Sequence, residues 1–228
     1  MLIEVIADTL SDAQIAEEAG AGRIELVTGL AEGGLTPGYG VIERVCRELK
    51  IPVNVMIRPH SRGFCYSEED IEIMIQDIKI CNKLGAAGVV FGVLTPDHQV
   101  HNDHLKRLID AADGMDITYH RAFDETGDQF AALESLKQYP QISRILTSGG
   151  RSSAADAAER LKSLHDHTAD SHIKIMAGAG LSIENIRAFL DEVPVTEVHF
   201  GTGVRVKSSY EHAIDSERVQ KVKKIIGA

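Results

Sequence analysis

The chain has 228 residues, of which 43% are hydrophobic and 25% charged, a composition typical of a globular domain. Its formal net charge of -10 argues against nucleic acid and anionic membranes as partners, because both attract basic surfaces. No apolar run approaches the ~18 residues of a membrane span, and Glu4 and Asp8 interrupt any signal-peptide pattern. The three cysteines cannot all pair within the chain, so we expect reduced thiols and a cytoplasmic location.

Short β-branched or aliphatic segments alternate with helix-forming segments along the whole chain. Strands are predicted at 2–7, 23–27, 53–58, 88–92, 117–121, 144–147, 172–177 and 197–201. The first helix is expected to begin at a capping box of Ser11 and Gln14, and the second to carry Pro37 in its first turn. Ser67 and Asp70 should open the third. Later helices are predicted near 103–112, 128–139, 152–165, 182–190 and 215–226.

Eight strand–helix units predict parallel pairing, in either an open doubly wound sheet or a closed (β/α)8 barrel. Strand parity favours the barrel, because one parity is apolar and can meet the helices while the other carries ionisable groups that would point into the lumen. The lumen residues predicted in this way are Glu4, Glu25, Arg58, His120 and His199. We therefore predict an α/β protein, a (β/α)8 TIM-type barrel that forms a single domain over 1–228.

Polar residues near the C-terminal ends of the strands are the candidates for chemistry, since barrel enzymes place their sites there. Arg58 could hold a carboxylate or phosphate, and His120 could move a proton near neutral pH. Glu4 or Glu25 could act as a base if burial raised its pKa. The predicted catalytic set is Glu4, Glu25, Arg58, His120, Asp124 and His199. The alternative is a structural ion-pair network in which the two glutamates face Arg58.

Glycines follow the seventh and eighth strands, the two places where barrel enzymes often bind phosphate. The predicted anion-binding residues are Gly178, Gly180, Gly201 and Gly203. A helix expected to start at Ser182 would add free N–H groups, and the 148–150 turn could add more donors. The alternative is that these glycines only form tight turns.

Cys65 is the one cysteine predicted on the functional face, in the loop after the third strand and near His60. A thiolate suits Cu(I) or Zn(II), so Cys65 is the candidate metal ligand. Cys46 and Cys81 fall within the second and third predicted helices, where packing is the expected role.

The sequence resembles the CutC family, often called copper homeostasis proteins, over nearly its whole length. The resemblance rests on the strings RIEL at 23–26, EGGLTP at 32–37, MIRP at 56–59, FCYS at 64–67, HRAFD at 120–124, RILTSG at 144–149 and IMAGAG at 175–180. It implies a (β/α)8 barrel that is cytosolic and often oligomeric, with a role in copper homeostasis that rests partly on cysteines.

The sequence departs from this family where copper binding is concerned. Many relatives carry a cysteine directly after the RIEL string, where this chain has Val27, so the resemblance supplies only Cys65 as a matched ligand. Relatives also tend to differ at 62–64 and at 200–203. We expect a homo-oligomer whose partner is a copper ion, Cu(I), or a small anionic molecule. The alternatives are an enzyme acting on a small phosphorylated or carboxylated metabolite, and a non-catalytic regulatory scaffold.

Overall fold

The computed structural model describes residues 1–227. Within them, eight strands pair in parallel in chain order, and the last strand pairs with the first to close a barrel. The strands are β1 (Leu2–Ala7), β2 (Arg23–Leu26), β3 (Val53–Met56), β4 (Gly88–Phe91), β5 (Asp116–Tyr119), β6 (Ile142–Thr147), β7 (Lys174–Ala177) and β8 (Glu197–Phe200). The predicted (β/α)8 barrel is confirmed, and the open sheet is excluded.

One α-helix follows each strand. The helices are α1 (Leu10–Ala19), α2 (Tyr39–Glu48), α3 (Glu68–Lys83), α4 (Asn102–Ala112), α5 (Gln129–Leu136), α6 (Ala158–Asp166), α7 (Ile186–Glu192) and α8 (Ser216–Ile226). Short 3-10 turns occupy several connecting loops, among them Arg121–Glu125 after β5 and Thr202–Val204 after β8. Within residues 1–227, no helix has both the length and the apolar character needed to cross a membrane.

Strand parity divides the buried side chains into two sets. Ile24 and Leu26 of β2 and Val198 of β8 belong to the large apolar core, which also contains the buried faces of the helices. A second, small apolar cluster of Ile6, Val27, Met56 and Val90 lies apart from it. These four residues occupy the other parity of their strands, so the barrel interior is only partly apolar and leaves room for charged groups.

Two helix starts can be compared directly with the sequence prediction. The cap of α1 is Thr9 rather than Ser11, because Thr9 is extended and its hydroxyl accepts from the Asp12 N–H at 3.1 Å. The capping box of Ser67 and Asp70 at α3 is confirmed, with both reciprocal hydrogen bonds present.

The seventh helix begins at Ile186, not at the predicted Ser182. The Asn185 side chain accepts from the Ser182 N–H at 2.8 Å and donates to the Gly180 carbonyl at 2.8 Å. These local hydrogen bonds stabilise residues 180–185 as a turn, so the helix begins only after them. The expected free N–H groups of a helix starting at Ser182 are therefore absent from the described chain.

Candidate active site at the barrel mouth

A cavity of about 410 Å³ opens at the C-terminal ends of the strands. Four of the predicted catalytic residues line it, Glu25, Arg58, His120 and His199, and Asp124 does too, so five of the six meet in one place. Each of the four is at least nine-tenths buried. Among residues 1–227, the buried side-chain atoms without a hydrogen-bond partner include Glu25 Oε1, Arg58 Nε and His120 Nε2. Buried polar atoms are normally paired, so three unpaired atoms around one cavity indicate a binding site.

Glu25 and His199 form the centre of the site. His199 is held by Glu4, whose Oε1 lies 2.8 Å from His199 Nδ1. The other imidazole nitrogen, Nε2, lies 3.8 Å from Glu25 Oε2. The register of the barrel produces this contact, because β1 lies between β2 and β8 and places Glu4 beside both His199 and Arg23. His199 therefore bridges two carboxylates, one below the cavity and one lining it.

The pKa values of Glu25 and Glu4 are shifted in opposite directions. Burial raises the pKa of Glu25 to about 7, although the charge on His199 opposes the shift. Burial also disfavours the ionised form of Glu4, but Arg23 and His199 outweigh it and lower the pKa of Glu4 to about 2. Burial likewise opposes the charged form of His199, and the two carboxylates nevertheless raise its pKa. Glu25 is thus the carboxyl group that can exchange a proton near neutral pH.

A buried ion-pair network fills the barrel below this pair. Arg23 pairs with Glu4 and, at 2.6 Å, with Glu197. Arg144 continues the chain of contacts from Glu197, at 3.0 Å, to Asp116. The ion-pair network that the sequence analysis offered as an alternative is therefore present inside the barrel. The cation that neutralises Glu4, however, is Arg23 and not Arg58. Because these charges are paired with one another, His199 is the cation left to face Glu25, and it is shared with Glu4.

Arg58 is a buried cation with no carboxylate partner among residues 1–227. Its Nη1 donates to the Glu32 carbonyl at 2.7 Å and to the Gly34 carbonyl at 3.1 Å, and its Nε donates to nothing. Its guanidinium also lies 4.8 Å from the centre of the Phe64 ring. A buried charge without a counterion is costly, so this geometry favours an anionic ligand at the mouth.

The environment of His120 does not suit the proton-transfer role predicted for it. Burial, with a smaller effect from Arg58, lowers the pKa of His120 to about 3, so the ring stays neutral at physiological pH. The Nδ1 atom accepts from the Ala122 N–H at 3.2 Å, which leaves the proton on Nε2. His120 therefore presents an unpaired N–H donor rather than an acid or base.

Asp124 lines the cavity, but its carboxylate is already saturated. It accepts from Arg121 at 2.8 Å and from the Thr147 hydroxyl. The Ser148 and Gly150 N–H groups also donate to it. The remaining N–H of the 148–150 turn, that of Gly149, donates to the Thr147 hydroxyl at 2.9 Å, so the turn has no free donor and the prediction that it binds an external anion is wrong. Asp124 holds the loops after β5 and β6 together and orients Arg121.

All four predicted glycines lie where packing leaves no room for a Cβ, Gly201 because of Tyr210 Oη at 2.2 Å. A Cβ at Gly180 would lie 2.4 Å from Ser153 Oγ, and one at Gly203 would lie 2.1 Å from the Leu181 carbonyl oxygen. A Cβ at Gly178 would meet Leu146 at 2.5 Å, and Gly178 does not line the cavity. Gly180 also has a φ of +69°, which disfavours any other residue. Turn geometry and packing therefore explain these positions without a ligand.

The loops after β7 and β8 nevertheless offer backbone donors to the cavity. Gly180, Gly201 and Gly203 line it, and within residues 1–227 their N–H groups donate to no protein acceptor. The Gly178 N–H, in contrast, donates to the Thr147 carbonyl at 3.0 Å. An anion at this end of the mouth could therefore use three of the four predicted glycines, but not Gly178.

Cys65 is exposed in the loop between β3 and α3. His60, in the same loop, lies 3.4 Å from Asp70 through Nε2. Among residues 1–227, one grouping of three metal-ligand side chains occurs, and it contains Glu4, Glu25 and His199, not Cys65. Arg23 and His199 already use both oxygens of Glu4, so hydrogen bonds within the protein account for this grouping.

Sequence reasoning missed several residues of the site. Arg23 and Glu197 share strand parity with Glu25 and His199, so the same alternation could have identified them as lumen groups. Tyr210 and Arg121 line the mouth from loops, where no periodicity could reveal them.

Comparison with known proteins gives consistent matches. The sequence model of the CutC family matches residues 1–204. The mouse copper homeostasis protein cutC homolog is 41% identical over 198 residues, covering 87% of this chain and 72% of its own length. The CutC family protein of Pasteurella multocida is 38% identical over 214 residues, covering 93% of this chain and 87% of its own.

Solved structures agree with these matches. The putative copper homeostasis protein CutC from Streptococcus agalactiae has a TM-score of 0.81 and 32% identity, covering 88% of this chain and 98% of its own. Phosphoribosyl anthranilate isomerase from Thermotoga maritima has a TM-score of 0.66 but only 15% identity, with complete coverage of both chains. The second likeness shows a shared barrel fold and nothing about chemistry.

Proposed function

The chain belongs to the CutC family, and from that premise we propose that its barrel mouth is an acid–base active site for a small metabolite bearing a phosphate or carboxylate. One juxtaposition carries the proposal: the unpaired Oε1 of Glu25 shares a cavity with Arg58, a buried cation that lacks a counterion. The cation supports recognition of an anion, and the carboxyl group supports removal and return of a proton.

Each residue at the mouth has a distinct part in this mechanism. Arg58 and the N–H of His120 bind the anionic end of the metabolite, and the free loop N–H groups bind a second polar group. Glu25 takes a proton from the substrate and later returns it. His199, held by Glu4, positions the Glu25 carboxylate and stabilises its ionised form. A pKa of about 7 suits Glu25 to exchange that proton at physiological pH.

If the mouth binds an anion, adding that anion should raise the thermal stability of the protein. Phosphate, sulfate, glucose 6-phosphate and 3-phosphoglycerate are suitable probes, and one present at 100 times its Kd should add about 2.7 kcal/mol to the free energy of unfolding. The variant Arg58→Met should lose most of this gain. Arg62→Met is the matched control, since Arg62 is an exposed arginine of the same loop.

Thermal-shift measurements on the three proteins decide the matter. The rise in melting temperature with a binding probe should be large in wild type and in Arg62→Met, and small in Arg58→Met. No stabilisation of wild type by any probe at millimolar concentration would remove the support for an anion site. An equal response in Arg58→Met would show that the anion binds elsewhere.

Copper handling is the second candidate, and the names of the relatives favour it, since the mouse homolog is described as a copper homeostasis protein. Within this chain the supporting feature is Cys65, an exposed thiol in the loop after β3. In the cytoplasm, where we place the protein, such a thiol stays reduced and can bind Cu(I). Since a single thiolate is a poor site, we propose weak binding, or binding shared with a second copy of the chain.

Replacing Cys65 with serine should weaken Cu(I) binding by about tenfold or more, because serine lacks a soft ligand atom. Competition with a chromogenic Cu(I) chelator under anaerobic conditions measures the effect. Cys46→Ser is the control: Cys46 lies in α2, and burial raises the pKa of its thiol to about 11, so its loss should change little. Tight one-to-one Cu(I) binding by Cys65→Ser would refute this assignment.

A further inference from the structure

Tyr210 is a polar group at the mouth that the mechanism above does not use. It lies in the loop after β8, beyond the residues 1–204 that match the family model, and it lines the cavity together with Glu25 and Gly201. Its side chain is exposed, at 39%. Within residues 1–227, its hydroxyl forms no hydrogen bond.

The position of the hydroxyl is defined by Gly201. A Cβ on Gly201 would lie 2.2 Å from Tyr210 Oη and 3.1 Å from Cζ, so the hydroxyl occupies the space that any side chain at 201 would need. The absence of a Cβ at Gly201 therefore admits Tyr210 to the mouth. The same loop carries the N–H groups of Gly201 and Gly203 that donate to no protein acceptor.

The ring of Tyr210 contacts an anchored arginine. The Arg205 guanidinium lies 5.5 Å from the ring centre of Tyr210. Arg205 is itself anchored, since its Nη1 donates to Asp12 Oδ2 at 2.8 Å and to the His212 carbonyl at 2.9 Å. A ring in contact with an anchored cation, on a residue that lines the cavity and has a free hydroxyl, has the arrangement of a preorganised ligand contact.

We propose that the Tyr210 hydroxyl donates a hydrogen bond to the second polar group of the metabolite, the one bound by the loops after β7 and β8, and so helps to set the substrate specificity of the site. This inference rests on the proposed anion site and adds a residue to it. The donor remains protonated at neutral pH, because burial and the nearby Glu25 raise the pKa of Tyr210. Arg205 acts through Tyr210 and is a positioning residue.

The variant Tyr210→Phe tests the hydroxyl while keeping the ring. Isothermal titration with 3-phosphoglycerate and with inorganic phosphate should give a Kd about fivefold to tenfold higher than wild type for at least one probe, the usual effect of losing one such bond. The melting temperature without anion should stay close to that of wild type, since the packing against Arg205 is retained. Tyr39→Phe is the control, because Tyr39 is exposed at the start of α2.

A second measurement tests the geometry without any ligand. Gly201→Ala should lower the melting temperature less in a Tyr210→Phe background than in wild type, because removing Oη removes the closest clash. Equal losses in the two backgrounds would contradict the placement of the hydroxyl against Gly201.

The outcomes separate this inference from the proposed function. If wild type binds and Tyr210→Phe has an unchanged Kd for every probe that binds, the role of the hydroxyl is overturned and the anion site stays intact. A rise in Kd in Tyr39→Phe equal to that in Tyr210→Phe would also overturn it, as a nonspecific effect. If wild type binds neither probe, the anion site is refuted and the role of Tyr210 with it.

Discussion

Replacing Glu25 with glutamine should slow proton exchange between a bound metabolite and solvent by about a hundredfold or more, the usual loss when a general base is removed. The reason is that the glutamine side chain would keep the shape of the glutamate but could not accept a proton. Candidate phosphorylated sugars and hydroxy acids that stabilise the protein are incubated with it in D2O, and deuterium incorporation is followed by mass spectrometry. Incorporation at the wild-type rate in Glu25→Gln would contradict the role of Glu25.

The same variant should be more stable than wild type at high pH. The pKa of Glu25 is about 7 in the folded protein, above its ordinary value of 4.5, so the stability it contributes is present below pH 4.5 and is lost as the pH rises through 7. Glutamine does not ionise, so Glu25→Gln should exceed wild type by roughly 3 kcal/mol at pH 8 and by little at pH 5. Denaturant unfolding at both pH values measures the difference.

A suitable control for the pH effect is Glu32→Gln. Glu32 also lines the mouth, but its side chain is exposed, so its charge is well solvated. Its replacement should leave the pH dependence of stability unchanged. If the difference in the free energy of unfolding between wild type and Glu25→Gln stays constant from pH 5 to pH 8, burial does not raise the pKa of Glu25.

Removing Arg23 should cause the largest loss of stability. The variant Arg23→Met leaves Glu4 and Glu197 buried without the cation that pairs with both, and broken buried pairs typically cost about 3–5 kcal/mol. Arg47→Met is the matched control, since the Arg47–Glu43 pair on α2 is exposed and should be worth less than about 1 kcal/mol. Chemical denaturation at pH 7 compares the two.

Arg23→Met should also change the site above it. Glu4 would lose its main stabilising partner, and its hold on His199 would weaken, so the pH dependence attributed to Glu25 should shift as well. A loss below about 1 kcal/mol in Arg23→Met would mean that the buried network does not support the barrel, because desolvation then offsets the pairing energy.

Strand alternation predicted part of the polar lumen, but Arg23 and Glu197, which share the same parity, were not identified. Glu25, Arg58, His120 and His199 share one parity of their strands, and all four line the mouth. Alternation could not predict which charge pairs with which. That choice depends on the stagger between neighbouring strands, which puts Glu4 beside Arg23 and His199 and leaves Arg58 among carbonyl groups.

The glycines illustrate a different limit. A glycine in a loop indicates that a Cβ is not tolerated, but the sequence does not reveal what occupies the space. At Gly180 it is Ser153, from the loop after β6, and at Gly201 it is Tyr210, further along the loop after β8. The protonation of His120 was unpredictable for a similar reason, because its low pKa depends on complete burial and on the nearby Arg58.

The pairing of β1 with β8 has a consequence for how the protein folds. The hydrogen bond between His199 and Glu4 joins residues 195 positions apart, so it can form only when the two ends of the chain meet. Contacts of such high sequence separation carry a large loop-closure entropy and tend to slow folding. The Glu25–His199 pair is thus assembled by ring closure, and a newly synthesised chain has no site until its last strand is in place.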